Sequence, residues 1–133
     1  MKVVVTGANG FVGLHTVRGL LDAGYNVLAV DIIDSELKAR FKEDKQCEIA
    51  NINILDEDLK KVIKKGDKVI HLAAIAKFDQ ARRNPQKAVK VNIEGTLNIT
   101  KACIEKKAER LVYSSTGSVY SHDAPIPIRE DAK

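Results

Sequence analysis

Residues 6–13 read Thr-Gly-Ala-Asn-Gly-Phe-Val-Gly and stand between a run of valines and a segment of helical periodicity. The spacing is G-x-x-G-x-x-G, which differs from the general G-x-G-x-x-G pattern but keeps its three roles. Gly7 permits a tight turn, Gly10 leaves room for a pyrophosphate near the backbone, and Gly13 lets the helix pack on the strand. Free N–H groups of the first helical turn then face the anion. The residues predicted to surround the pyrophosphate are Gly7, Asn9, Gly10, Phe11, Val12 and Gly13.

A carboxylate follows at the end of the next predicted strand. Asp31 comes about 20 residues after the last glycine, where it can accept hydrogen bonds from both ribose hydroxyls of an adenosine. It would also repel a 2′-phosphate. Since Ile32 and Ile33 follow Asp31 and no Arg is adjacent, the pattern favours NAD over NADP. The alternative interpretation is a tight glycine turn and an acidic residue that merely ends a strand.

Short apolar runs alternate with helical patterns along the whole chain. Such alternation indicates βαβ units, whose right-handed crossovers give a parallel sheet with helices on both faces. We predict one Rossmann-like, doubly wound α/β domain over residues 1–133, with its strands in the order 3-2-1-4-5 and no sixth strand. The predicted strands are 3–6, 26–31, 47–52, 67–72 and 110–114.

The helices between these strands are predicted from apolar spacing and end signals. Val12, Val17, Leu20 and Leu21 recur at helical spacing, and Gly24 follows them as an end signal. Asp34 or Ser35 is predicted to cap a helix that carries Leu37 and Phe41. Asp56 is predicted to cap a third helix that ends at Gly66. A long helix is expected from Pro85 to about Lys107, with one face formed by Ala88, Val91, Gly95, Ile99 and Ala102.

Composition favours an ordinary globular domain. The chain has 133 residues, 44% of them hydrophobic and 30% charged, with a formal net charge of +4. The densest basic cluster, at residues 60–65, follows three acidic residues on one short helical segment, an order that the helix dipole favours. We therefore interpret it as a solvated helix end and expect no nucleic-acid binding. No apolar run approaches the roughly 20 residues needed to cross a bilayer, and we expect a cytosolic protein without a secretory leader.

The cysteines and histidines are too scattered for a metal site. Cys47 and Cys103 form no C-x-x-C pair and are expected to be buried or half-buried thiols. His15, His71 and His122 show no ligand spacing. We therefore predict no metal.

Five segments in order resemble the extended short-chain dehydrogenase/reductase family, the NAD-dependent epimerases and dehydratases that act largely on nucleotide sugars. Residues 6–13 match the family's T-G-x-x-G-x-x-G, and Asp31 matches its ribose-binding acid. Residues 71–74 look like H-x-A-A, residues 92–96 like N-x-x-G-T, and residues 112–120 like strand 5 with its S-S-x-x-x-V-Y stretch. The resemblance covers the whole chain.

The resemblance implies further cofactor contacts. Leu72, Ala73 and Ala74 would lie along the cofactor, and Asn53 with Ile54 would flank the adenine. Asn53 stands where the family usually has Asp, but an amide oxygen can still accept from the adenine amino group; on its own, Asn53 would be a polar strand-end residue. The remaining expected cofactor contacts are Ile32, Asn92, which would support the cofactor or the active-site loop, and Ser114.

The resemblance also places one catalytic residue. Thr116 aligns four positions before Tyr120, where the family has the Ser or Thr that hydrogen-bonds the substrate hydroxyl or carbonyl. Ser114 and Ser115 are alternatives for this role. Arg82 and Arg83 would suit a diphosphate-bearing substrate, although exposed charges are the simpler interpretation.

The family's Tyr-x-x-x-Lys pair, which carries the proton chemistry, is not found: no tyrosine is followed by a lysine four positions later. We therefore expect the chain to be the NAD-binding, N-terminal part of an epimerase/dehydratase-type enzyme, inactive alone because it lacks this pair and the substrate-binding region. The full-length enzyme would take a nucleotide sugar and could be a homodimer. The alternatives are a non-catalytic NAD-sensing module and an NADP-dependent carbonyl reductase of the same family.

Overall fold

Parallel strands form the centre of the computed structural model, which describes residues 1–121 and 123–132. The strands are β1 Val3–Thr6, β2 Val27–Asp31, β3 Cys47–Asn51, β4 Lys68–His71 and β5 Arg110–Tyr113. They form one five-stranded sheet in the order β3-β2-β1-β4-β5, and every neighbouring pair is parallel. The predicted fold class and strand order are confirmed. His122, one of the histidines considered for metal binding, lies outside the described residues, as does Lys133.

Helices cover both faces of the sheet. They are α1 Phe11–Asp22, α2 Ser35–Phe41, α3 Leu59–Val62, α4 Phe78–Arg83, α5 Pro85–Val89 and α6 Thr96–Lys106, with a π-helical segment Lys90–Gly95 between the last two and a 3₁₀ turn Gly117–Val119. No helix among the described residues is both long enough and apolar enough to span a bilayer.

The sheet separates two buried clusters because successive strand residues point to opposite faces. Val3 and Val5 of β1 belong to the cluster beneath α1 and α2, together with Val17 and Phe41. Val4 faces the other way, into the cluster that α3 and α6 cover. Burial on both faces explains why the strands are nearly continuous apolar runs. Cys103 is buried and Cys47 is half-buried, as predicted.

Several helix-end predictions need correction. Gly24 and Gly66 do have positive φ and Pro85 does begin α5, but neither Asp34 nor Asp58, the residues that precede α2 and α3, caps its helix with its side chain. Asp56 lies in a turn before α3, where its N–H donates to the carbonyl oxygen of Asn53. Val12 is 59% exposed and lies outside the core, where Leu14 packs instead.

The predicted helix from Pro85 to Lys107 is not one regular α-helix. Residues 90–95 adopt π geometry, and α4 precedes Pro85 where no helix was predicted. Within the π segment, Gly95 is buried and faces Ile54: a Cβ at this position would overlap the Ile54 side chain. Ala88, Ile99 and Ala102 are buried as predicted, and Val91 packs beside the second cluster.

Candidate dinucleotide-binding site

The glycine loop, residues 6–13, joins β1 to α1 and is held by close backbone contacts. Gly7 has φ +69°, and a Cβ there would lie 2.6 Å from the backbone nitrogen of Ala73. A Cβ at Gly13 would overlap the carbonyl oxygen of Gly7 and come within 2.7 Å of the Ala8 Cα. By contrast, a Cβ at Gly10 would approach only the Gly7 oxygen, at 3.2 Å. Two glycines therefore serve packing, whereas the side of Gly10 away from the loop is open.

Asp31 ties the glycine loop to the end of β2. One carboxylate oxygen accepts from the backbone N–H of Asn9 at 3.0 Å, and the other accepts from Ile33 at 3.3 Å. The Asn9 side-chain oxygen accepts from the backbone N–H of Leu37 at 3.0 Å. This bond supplies the N-terminal cap that α2 lacks in its own sequence. Asn9 therefore orders the loop and α2, and it does not line the cleft described next.

A cleft of about 880 Å³ opens at the carboxyl ends of the strands. Ligands bind at this edge in open parallel sheets. Nine of the residues predicted to contact a cofactor line it, namely Gly7, Gly10, Asp31, Ile32, Asn53, Ile54, Leu72, Ala73 and Ala74. Asn9, Phe11, Val12, Gly13, Asn92, Ser114 and Thr116 do not. Residues from four separate segments of the sequence thus converge on one cavity.

The opposite side of the cleft is a helical wall, which we define as residues 78–95. Its lining side chains include Gln80, Arg83, Lys87 and Lys90, which the sequence analysis did not assign to a cofactor site. No carboxylate of the described residues pairs with Arg83, Lys87 or Lys90. Their spacing of four and three residues is that of one helix face, which is the signal that would have found them. The cleft therefore faces its ligand with more positive than negative charge.

His71 links the two sides of the cleft through a directed chain of hydrogen bonds. The Thr96 hydroxyl donates to the Asn92 carbonyl oxygen at 2.7 Å, so its oxygen accepts from Nε2 of His71 at 3.1 Å. With the proton on Nε2, Nδ1 accepts from the Thr6 hydroxyl at 2.6 Å. The imidazole is 1% exposed, and this desolvation lowers the pKa of His71 below its ordinary value. The network thus requires the neutral ring.

Asn92 fastens the helical wall to the turn after β4. Its side-chain oxygen accepts from the N–H of Ile75 at 2.8 Å, and its amide nitrogen donates to the carbonyl oxygen of the same residue at 3.2 Å. Ile75 lines the cleft. Asn92 therefore acts from behind the lining rather than within it.

The segment after β5 is exposed. The Thr116 hydroxyl oxygen accepts from the N–H of Ser118 at 3.1 Å and caps the 3₁₀ turn. The backbone N–H of Ser114 donates to the carbonyl oxygen of His71 at 3.2 Å, which holds this segment at the carboxyl edge of the sheet. Nothing in these contacts distinguishes Thr116 from Ser114 or Ser115 as a substrate ligand, so its role stays a prediction.

Comparison with known proteins agrees with this architecture. Residues 3–133 match the model of the NAD dependent epimerase/dehydratase family. The chain belongs to this family. The UDP-glucose 4-epimerase of Pisum sativum is 31% identical over 144 residues, covering 99% of the chain and 41% of the relative. The chain thus spans about two fifths of the length of such curated relatives.

Solved structures show the same similarity. A UDP-N-acetylglucosamine 4-epimerase from Methanobrevibacter ruminantium M1, in complex with UDP-N-acetylmuramic acid, superposes with a TM-score of 0.84 at 30% identity, covering 98% of the chain and 43% of that protein. A UDP-glucose-4-epimerase from Stenotrophomonas maltophila, with bound NAD and formylated UDP-arabinopyranose, gives 0.88 at 26% identity, covering 99% and 42%. The predicted family resemblance is confirmed.

Proposed function

We propose that residues 1–133 are the NAD-binding portion of an epimerase/dehydratase-type oxidoreductase that acts on a nucleotide sugar. The observation that carries this proposal is the cleft in which the open side of Gly10 and the carboxylate of Asp31 share one cavity. Similarity to epimerases named for UDP-sugars supports the substrate class.

The residues present fit a dinucleotide. Gly10 and the start of α1 would hold the pyrophosphate, because the Cβ-free side of the loop and the helix N–H groups face an anion there. Asp31 would accept from the ribose hydroxyls of the adenosine. Ile32 and Asn53 would flank the adenine, and Ala73 would lie along the cofactor. When bound, NAD supplies a hydride acceptor.

The chain's own residues would bind and orient rather than transfer protons. Thr116 would hydrogen-bond a substrate hydroxyl, but the 133 residues contain no Tyr-x-x-x-Lys pair. Loss of a positioned acid or base costs about 10² to 10⁴ in rate. We therefore propose that this chain binds NAD without useful turnover. Measurable epimerase or dehydrogenase activity of the purified 133-residue chain would refute that part.

The binding proposal is tested by titrating NADH into the chain and its Asp31→Asn variant by calorimetry. Hydrogen bonds to a charged group contribute about 1.5–3 kcal/mol, so the variant is expected to bind NADH at least roughly tenfold more weakly. NADPH is expected to bind the unmodified chain more weakly than NADH, because Asp31 repels the 2′-phosphate, and the substitution narrows that gap.

The matched control is Asp34→Asn. Asp34 is a nearby carboxylate that pairs with Lys38 at 2.9 Å and does not line the cleft. Its substitution removes the same charge without touching the ribose position, so NADH affinity is expected to stay within about twofold. Equal losses in both variants, or no NADH binding by the unmodified chain, would contradict the proposal.

A further inference from the structure

The amide of Asn53 has a fixed orientation at one end of the cleft. Its side-chain oxygen accepts from the backbone N–H of Leu55 at 3.0 Å. Only the oxygen of an amide can accept, so this bond determines which atom turns inward. The NH₂ group is the remaining polar group of the side chain, and no described residue accepts a hydrogen bond from it.

Asn53 also lies where the cleft continues into a second space. It lines the large cleft and an adjoining groove of about 390 Å³, and Leu55 and Lys90 line both as well. The carboxylates of Asp56 and Glu94 border only the smaller groove. Around the shared end, the polar side chains of Asn53 and Lys90 are therefore donors, because an ammonium group cannot accept and the Asn53 oxygen is already bonded.

We infer that Asn53 recognises the cofactor base as a hydrogen-bond donor, so that the site accepts hypoxanthine about as well as adenine. This inference rests on the proposed NAD binding. Adenine offers N1 as an acceptor beside its amino group, and hypoxanthine offers the carbonyl oxygen O6 at the same edge. An NH₂ donor pairs with either base. A carboxylate at position 53 would accept from the adenine amino group but would face O6 of hypoxanthine with like polarity.

The substitution Asn53→Asp isolates this donor. A carboxylate can still accept from the N–H of Leu55, so the turn 53–56 keeps its internal hydrogen bond and only the NH₂ group is lost. Asn26→Asp is the matched control: it makes the same chemical change at an exposed position just before β2, at the amino end of the sheet, where no cofactor is placed.

The experiment is a calorimetric titration of the chain and both variants with NAD and with nicotinamide hypoxanthine dinucleotide. The unmodified chain and Asn26→Asp are expected to bind the two dinucleotides within about threefold of each other. Asn53→Asp is expected to prefer the adenine form by roughly tenfold, the size of one hydrogen bond made or lost. The comparison in the unmodified chain needs no variant, so a folding defect in Asn53→Asp leaves the test intact.

The outcomes separate the two proposals. If the unmodified chain binds NAD but prefers it over the hypoxanthine form by tenfold or more, the donor role of Asn53 is wrong and the proposed function stands. If it binds neither dinucleotide, both are wrong.

Discussion

The wall of the cleft that contains the glycine loop and Asp31 is built from backbone contacts, whereas the helical wall opposite is built from long side chains. On the first wall, Gly7 and Gly13 lie so close to neighbouring backbone that a single added carbon has no room. On the second, Arg83, Lys87 and Lys90 are exposed and unpaired with carboxylates among the described residues. The comparison teaches that one wall is specified by shape and the other by charge.

The largest expected effect comes from filling the shape-specified wall. Gly13→Ala places a carbon onto the Gly7 carbonyl oxygen, and overpacking of this kind costs about 1–3 kcal/mol or more. The free energy of unfolding, measured by urea titration with circular dichroism, is expected to fall by about 3 kcal/mol. NADH affinity is expected to fall with it.

Gly19→Ala is the control on the same helix. Gly19 is exposed, and a Cβ there meets nothing within 4 Å. Because alanine favours the helix, this variant is expected to gain about 0.5–1 kcal/mol. If Gly13→Ala were as stable as the unmodified chain, the backbone description of this wall would be wrong.

A smaller effect is expected where His71 joins the two walls. Burial lowers the pKa of His71, so the unfolded chain binds a proton at a higher pH than the folded chain does. The stabilisation is complete above the ordinary pKa of about 6.5 and is lost as the pH falls towards the folded-state pKa, by at most about 1.4 kcal/mol per pH unit. Urea titrations between about pH 7.5 and 5.5 are expected to show this loss in the unmodified chain.

Replacement of single histidines assigns the loss. His71→Asn removes the titrating ring while keeping an amide near the Thr6 hydroxyl, and it is expected to flatten the pH dependence. His15→Asn changes an exposed histidine on α1 and is expected to leave the dependence as it was. An unchanged slope in His71→Asn would show that His71 is not the group responsible.

The smallest effect is expected on the charge-specified wall. Arg83→Gln removes one of three exposed cations that line the cleft, and exposed charges contribute little each. NADH affinity at low salt is expected to fall about threefold, and the difference is expected to shrink at about 0.5 M salt, where screening is strong. Arg82→Gln, one residue earlier and outside the lining, is expected to bind NADH as the unmodified chain does. Equal effects of the two substitutions would mean that position on the wall does not matter.

The same contrast separates what could be predicted for the site. Gly7, Asp31 and Ala73 were predicted because glycine spacing and the residue at a strand end reflect local backbone geometry. Arg83, Lys87 and Lys90 were missed because an exposed cation looks the same on any solvated helix. The capping of α2 by Asn9 and the π segment at Lys90–Gly95 were missed for a further reason: each depends on contacts with residues distant in the sequence.

The amino-acid sequence alone determined the alternation of elements, the parallel strand order and the glycine loop, because periodicity and turn chemistry act within a few residues. Only the tertiary structure decided which atom of Asn53 faces the cleft, which tautomer His71 adopts and which cations line the opposite wall. Those properties depend on hydrogen-bond partners and neighbours brought together by folding, and no short stretch of sequence contains them.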